Sequence, residues 1–256
     1  MLTSIRGFSA ASVFALCAAT ATPVFAQVVN PSEEVEDDDG AGIDISANVA
    51  ITSDYKFRGV SLSDGDIAIQ GGVDVGLPAG FYIGTWASSI DEDTVGYGHT
   101  ELDIYGGWAA EFGNISTDVG IIMYIYPNAG AGDFDYVEVY GSVGAALGPV
   151  EATLGVAYAP EQDSLGGTDN FYIYTDLSAG LPGTPVSVFA HAGYTDGFLT
   201  FTQDSEAFDY AIGVEAALGS VVSVSAAFVG VEGDVLIDPD GTFTDDSVVL
   251  TLSASF

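Results

Sequence analysis

The last nine residues, VVLTLSASF (248–256), alternate without a break. Val248, Leu250, Leu252, Ala254 and Phe256 fall on one parity, and the intervening partners are mostly small or polar. A period of two is that of a β-strand with one apolar face. The same pattern recurs through the chain, and it carries the charges with it. In the first such stretch Asp44, Asp54, Lys56 and Arg58 occupy even positions, while Ile45, Ala47, Val49, Ile51, Tyr55 and Phe57 occupy odd ones. Around residue 105, Glu101, Asp103 and Glu111 oppose Leu102, Ile104, Trp108, Ala110 and Phe112. Asp74, Asp118, Glu138, Glu151, Asp176, Asp209 and Glu215 each sit opposite an apolar set. Such segments present an apolar face on one side and a charged face on the other.

Twelve segments of this kind are expected, near 43–59, 67–77, 81–89, 100–112, 115–125, 136–147, 150–159, 171–181, 186–195, 208–218, 221–231 and 246–256. Most are close to the length of a tilted membrane strand, about 9–11 residues. Their connections alternate. Tight turns fall at 78–80, 113–114, 148–149, 182–185 and 219–220, and longer, more acidic loops at 60–66, 90–99, 126–135, 160–170, 196–207 and 232–245. Short turns at one end and long loops at the other are the plan of a transmembrane antiparallel up-and-down β-barrel of about twelve strands, all-β, with the apolar face on lipid and the charged face on the lumen. A soluble sandwich gives no reason for that asymmetry. Phe81, Tyr82, Phe112, Phe171, Tyr194, Phe208 and Phe256 lie near strand ends, where interfacial rings are expected.

Composition agrees. The chain has 256 residues, 48% of them hydrophobic, and a formal net charge of −34. That charge argues against nucleic acid as a partner, because phosphates are neutralised by Lys and Arg. No stretch of about 18 apolar residues follows residue 26, so no spanning helix is expected. Residues 1–26 read as a secretory signal: Arg6 is their only charge, 8–21 are apolar or small, and Val24-Phe25-Ala26 fits the cleavage rule. Residues 27–42, with Glu33, Glu34, Glu36, Asp37, Asp38 and Asp39, read as an acidic linker, and 43–256 as the barrel. Cys17 lies inside the signal, so no disulfide or thiol chemistry is expected beyond it.

Within the barrel, Asp54, Lys56, Arg58, Glu101, Asp103, Glu138 and Asp176 are the candidate pore-lining or constriction residues. Lys56 and Arg58 are the only basic residues after Arg6 and are expected to pair with lumen acids. They read equally as one wall of a polarised constriction or as struts in an ion-pair cluster that pins a loop. Rings of Asp and Glu favour cations if a channel is open. Tyr105, Tyr124, Tyr140, Tyr172 and Tyr174 share the lumen parity and are the candidates to plug it. Enzyme signals are poor. His191 takes the lumen parity with Ser187, but a hydrolase needs the two within hydrogen-bond reach and an orienting third group. His99 has no distinctive neighbours, and no His or Cys metal spacing occurs. Asp238-Pro239-Asp240-Gly241 with Asp245 and Asp246 lacks the full calcium-loop pattern. No enzyme activity, cofactor or metal is expected.

SDYKFRGVSLSDGDIAIQGG (53–72), GFYIGTWASSI (80–90), ELDIYGGWA (101–109) and YPNAGAGDFDYVEVYGS (126–142) resemble the TorF-family porins of Gram-negative bacteria. The resemblance is close over 53–142 and thereafter lies in the strand plan and the closing strand. It implies an outer-membrane porin and carries neither a substrate nor catalytic residues. The expected partners are outer-membrane lipid and lipopolysaccharide, the barrel-assembly machinery reading the strand that ends at Phe256, and small solutes or cations. The oligomeric state stays open, as does the alternative of a closed structural or surface-binding barrel.

Overall fold

The computed structural model describes residues 42–129, 134–200, 202–233 and 243–256. The expected signal, all but the last residue of the acidic linker, and the acidic stretch around 238–241 lie outside them. Fourteen strands follow in order: β1 (Asp44–Thr52), β2 (Lys56–Phe57), β3 (Val60–Ser61), β4 (Ala68–Gly76), β5 (Phe81–Ser89), β6 (Thr100–Phe112), β7 (Ile115–Ile125), β8 (Tyr136–Leu147), β9 (Val150–Gln162), β10 (Thr168–Gly180), β11 (Val186–Gly197), β12 (Glu206–Ala217), β13 (Val222–Glu232) and β14 (Ser247–Ser255). Twelve of them close into one antiparallel barrel in which each strand pairs with its sequence neighbours and β1 pairs with both β4 and β14. The remaining pair, β2 and β3, forms a separate two-stranded ribbon.

Alternation decides which side chains face which medium. On β14, Val248, Leu250 and Leu252 are exposed on the outer surface while Val249, Thr251 and Ser253 are buried inside. The same split holds on β7, where Val119, Ile121 and Met123 face out and Asp118, Ile122 and Tyr124 face in. Large apolar residues are exposed in this way on all twelve barrel strands. A continuous apolar belt of that extent belongs against hydrocarbon, since water-facing patches rarely exceed a few hundred Å². The fold is a transmembrane β-barrel. Its seam is closed by the terminal strand: Asn48–Thr52 pair with Ser255–Thr251, and Phe256 exchanges backbone hydrogen bonds with Ala47 at 2.9 and 3.1 Å.

Three sequence expectations need correcting. The first strand does not run to residue 59. It leaves the barrel after Thr52, and residues 53–63 fold inward as the β2–β3 ribbon. The ribbon is itself extended, so the alternation persists although the strand has changed sheets. The loop expected at 160–170 is shorter, because β9 runs to Gln162 and β10 starts at Thr168. Pro160 has no N–H to offer its neighbour. The Gln162 side chain instead pairs with the Val137 backbone, accepting from its N–H at 2.8 Å and donating to its carbonyl at 3.1 Å. Finally, Tyr82 is not an interfacial ring. Phe81 and Tyr82 are consecutive and must face opposite sides; Phe81 is exposed, and the Tyr82 hydroxyl sits inside, donating to Asp118 at 2.7 Å.

Ile121, near the middle of β7, tests which surface meets lipid. Ile121→Arg is expected to cost about 2–4 kcal/mol, measured by denaturant unfolding of protein folded into vesicles, whereas Ile121→Leu should be nearly silent.

Candidate functional site

The long-loop half of the barrel is where the charged side chains converge. The ribbon enters it from β1. Thr52 Oγ1 donates to the Asp54 carbonyl at 2.9 Å, the Tyr55 N–H to Ser63 Oγ at 2.8 Å, and the Leu62 N–H to the Tyr55 carbonyl at 2.7 Å. Lys56 opposes Ser61 and Phe57 opposes Val60, which leaves Arg58 and Gly59 as a two-residue turn. Both have positive φ, 47° and 83°, the condition for the primed turns that suit tight hairpins. Gly59 is also needed for space. A Cβ there would lie 2.7 Å from the Gly230 carbonyl oxygen and from Val231 Cβ, so the tip is pressed against β13.

The polar side chains of the ribbon are then bonded to the wall and to one another, although among the described residues Arg58 Nη1 is buried without a hydrogen-bond partner. Arg58 Nη2 donates to both oxygens of Glu138 on β8, at 2.9 and 2.8 Å, and its guanidinium lies 4.2 Å from the ring centroid of Tyr172 on β10. Tyr55 donates to Glu101 Oε1 on β6 at 2.6 Å, and Tyr126 donates to the other oxygen at 3.0 Å. Tyr124 donates to Glu138 at 3.2 Å. Lys56 Nζ is 3.4 Å from Asp54 and donates to the Asp245 carbonyl at 2.9 Å, while Asp54 accepts from Ser61 at 2.6 Å. On the long loops above, burial pushes the phenols of Tyr97 and Tyr126 up, and the Glu101 carboxylate adds to both.

The ribbon reaches across the lumen, meeting β5 at Trp86, β6 at Glu101, β7 at Tyr124, β8 at Glu138, β10 at Tyr172 and β13 at its tip. Every one of the twelve barrel strands contributes a buried inward residue: Thr52, Ala68, Trp86, Asp103, Tyr124 and Glu138 on β1 and β4–β8, and Ala157, Tyr172, Thr195, Asp209, Val229 and Val249 on β9–β14. Below it, toward the short turns, carboxylates are again met by phenols. Tyr105 donates to Asp74 at 2.6 Å, and the Tyr82 hydroxyl lies 2.6 Å from that of Tyr140.

The sequence candidates divide accordingly. Asp54, Lys56 and Arg58 belong to the inserted ribbon rather than to a barrel wall. Glu101, Asp103 and Glu138 are buried on the wall that faces it. Asp176 lies apart and contacts His191 Nδ1 at 2.6 Å. His191 Nε2 is engaged by Asp209 at 2.9 Å and by Tyr172 at 2.9 Å, and among the described residues the buried Ser187 hydroxyl has no hydrogen-bond partner. The serine and histidine are therefore not coupled. All five candidate plug tyrosines, Tyr105, Tyr124, Tyr140, Tyr172 and Tyr174, are buried inside. The partners missed in the sequence are Tyr55, Tyr126 and Tyr82. A usable signal was the inward glycine opposite an inward ring. Gly107 faces Tyr82, Gly84 faces Tyr105, Gly120 faces Tyr140 and Gly155 faces Tyr174, and a Cβ on any of these glycines would collide with its ring.

Arg58→Ala should cost about 3–5 kcal/mol, because it leaves the buried Glu138 carboxylate without its cation. Arg58→Ala with Glu138→Ala should cost less than the two single changes added together, by about 1–3 kcal/mol, in denaturant unfolding. Strict additivity would show that the pair does not hold the ribbon.

No curated protein sequence matches the chain. Among solved structures it is similar to the KdgM porin, with a TM-score of 0.54 and 7% identity over 82% of this chain and 98% of that one. It is similar to the NanC porin, with a TM-score of 0.54 and 9% identity over 83% and 99%. The KdgM porin in complex with disordered oligogalacturonate gives a TM-score of 0.53 and 6% identity over 83% and 97%. At those identities the likeness is one of fold. It agrees with the porin-like barrel that the TorF resemblance implied, without singling out the TorF family. Residues 36–256 match the family described as bacterial protein of unknown function (Gcw_chp), and the chain belongs to that family.

Proposed function

We propose that the protein is a porin-like channel of the bacterial outer membrane, passing small solutes with a preference for cations, and that residues 53–63 hold it shut in the conformation described. The observation that carries the reading is a buried ribbon, crossing a barrel of porin-like fold, whose register against the wall is set by a few discrete polar contacts. An all-apolar plug would have been the cheaper way to fill a barrel permanently. Side chains joined by phenol–carboxylate and guanidinium–carboxylate bonds can exchange those partners for water when the ribbon moves.

The polarity of the lumen supports cation preference. Inward carboxylates include Asp74, Glu101, Asp103, Asp118, Glu138, Asp176, Asp209 and Glu215, against the two basic residues of the ribbon. Asp54, Lys56 and Arg58 then form the movable side of the constriction, and Glu101, Asp103 and Glu138 its fixed side, with Asp176 on the path below. The orientation follows the usual plan, with short turns and termini in the periplasm and long acidic loops outside. In this reading the strand that ends at Phe256 is what the assembly machinery recognises.

Planar-bilayer recording under a salt gradient tests this. Wild type is expected to show rare, small conductance steps. A variant with residues 55–62 replaced by a short Gly/Ser linker should give frequent, discrete steps with a cation-favouring reversal potential. If that variant is silent although folded, as judged by heat-modifiable migration, the barrel is a closed structural one. Its acidic loops would then be the place to look for function, through divalent bridges to lipopolysaccharide.

A further inference from the structure

Among the described residues, the wall that faces the ribbon carries more carboxyl groups than it has cations bonded to them. Glu101, Asp103 and Glu138 are each 1% exposed, and among the described residues Arg58 is the one cation bonded to any of them, through Glu138 alone. Lys56 is committed to Asp54 and to the Asp245 carbonyl. Glu101 receives two phenol hydrogen bonds, one on each oxygen. Asp103 receives less: among the described residues no group bonds its buried Oδ1. Its acidic neighbours are Glu101, on the same face of β6, and Glu138, which accepts from Tyr124, the residue paired with Asp103 across the sheet.

A buried carboxylate in that position is expensive unless something compensates it. A proton would remove the charge but not the fault: on Oδ1 it would be a donor with nothing to receive it, and on Oδ2 it would leave Oδ1 a buried acceptor without a donor. Water would satisfy the hydrogen bond and leave the charge. A small cation does both. The surroundings suit one. Asp103 alternates with the outward Leu102 and Ile104 and so points into the lumen. It is paired across the sheet with Trp86 on one side and Tyr124 on the other. Tyr124 is one of these cross-strand partners and Tyr55 packs on the other; their hydroxyl hydrogens are given to Glu138 and Glu101, so that their lone pairs are left for another ligand. The Tyr55 ring stands 5.5 Å from that of Trp86, which encloses the same space with aromatic faces that attract cations.

We infer that Asp103, with the phenol oxygens of Tyr55 and Tyr124, forms a binding site for a partly hydrated alkali cation at the level of the ribbon. One free carboxylate and neutral oxygens fit a monovalent ion better than calcium, which takes six to eight oxygens and usually several carboxylates. The site needs only the folded barrel, not a conducting pore.

The test is the thermal unfolding midpoint of the full barrel, refolded in detergent, in NaCl, KCl and N-methyl-D-glucamine chloride at equal ionic strength. An ion that binds only the folded state should raise the midpoint by about 3 °C for each tenfold increase above its dissociation constant. Asp103→Asn should abolish that ion-specific rise, while Asp74→Asn, which alters a carboxylate already bonded by Tyr105, should keep it. Sodium-23 line broadening on the wild-type protein, displaced by KCl, gives the same answer should Asp103→Asn fail to fold. Equal midpoints in all three salts with no broadening would overturn the site, as would stabilisation by CaCl2 alone. Because these readouts are taken at equilibrium, a silent bilayer recording leaves the inference standing, and a conducting barrel indifferent to the ion removes it without touching the channel.

Discussion

A strand held in hydrocarbon has nowhere to send its backbone N–H and C=O groups except to another strand. Closure of the sheet is therefore the constraint on which everything else here depends. It is met at the seam by a short register, Asn48–Thr52 against Ser255–Thr251, extended at one end by Ala47 with Phe256 and at the other by the Ser53 N–H bonding the Leu250 carbonyl at 2.9 Å. Ser53 is also where the chain turns inward. One residue thus completes the wall and begins the ribbon, so the position of the ribbon is inherited from the closing of the barrel.

With the outer face given over to lipid, the interior has to absorb nearly all the polarity of the spanning segments. It contains many carboxylates and few cations. Phenols answer most of that imbalance. Tyr55, Tyr82, Tyr105, Tyr124, Tyr126 and Tyr172 each donate to an inward carboxylate. A phenol brings a large apolar body and one donor, so it fills space and satisfies an anion with a single side chain. For Tyr82 and Tyr105 the glycine opposite, Gly107 and Gly84, is the other half of the arrangement, since a strand can accept a ring lying across it only where it has no side chain of its own. Interior packing and charge solvation are in this way carried by the same residues.

How much of this could be read in the sequence follows from what alternation encodes. It encodes sidedness, and the segments from Phe81–Ser89 to Tyr136–Leu147 were legible to the residue because each is bounded by turn residues and keeps one parity throughout. It does not encode which sheet a strand joins. Residues 44–58 keep one parity across two different sheets, so the departure at Thr52 was invisible, and with it the fact that Asp54, Lys56 and Arg58 face the wall instead of belonging to it. The pairing of Arg58 with Glu138, 80 residues away, depends on how far the ribbon reaches across the barrel, and no local pattern carries that distance. What the sequence did carry was scarcity: two basic residues among so many acids had to be paired, whichever acid the fold supplied.

The ribbon's composition also bears on why it is inserted at all. Its apolar members, Tyr55, Phe57, Val60 and Leu62, are each 5% exposed or less and pack against Trp86, Tyr124 and their neighbours. Burying four such side chains contributes on the order of 1.5–3 kcal/mol each, enough to draw the segment into the barrel without help from charge. The charges then have a different part. Arg58 and Lys56 enter with the apolar residues because they occupy the turn and its flank; Lys56 brings its counter-ion with it in Asp54, and burying Arg58 is tolerable only where Glu138 already stands. Apolar burial supplies the stability of the inserted ribbon, and ion pairing selects the one orientation in which it can be inserted. A segment held in that way is stable in place yet depends on a few discrete polar contacts for its register, which is the property expected of a restriction that moves as a unit.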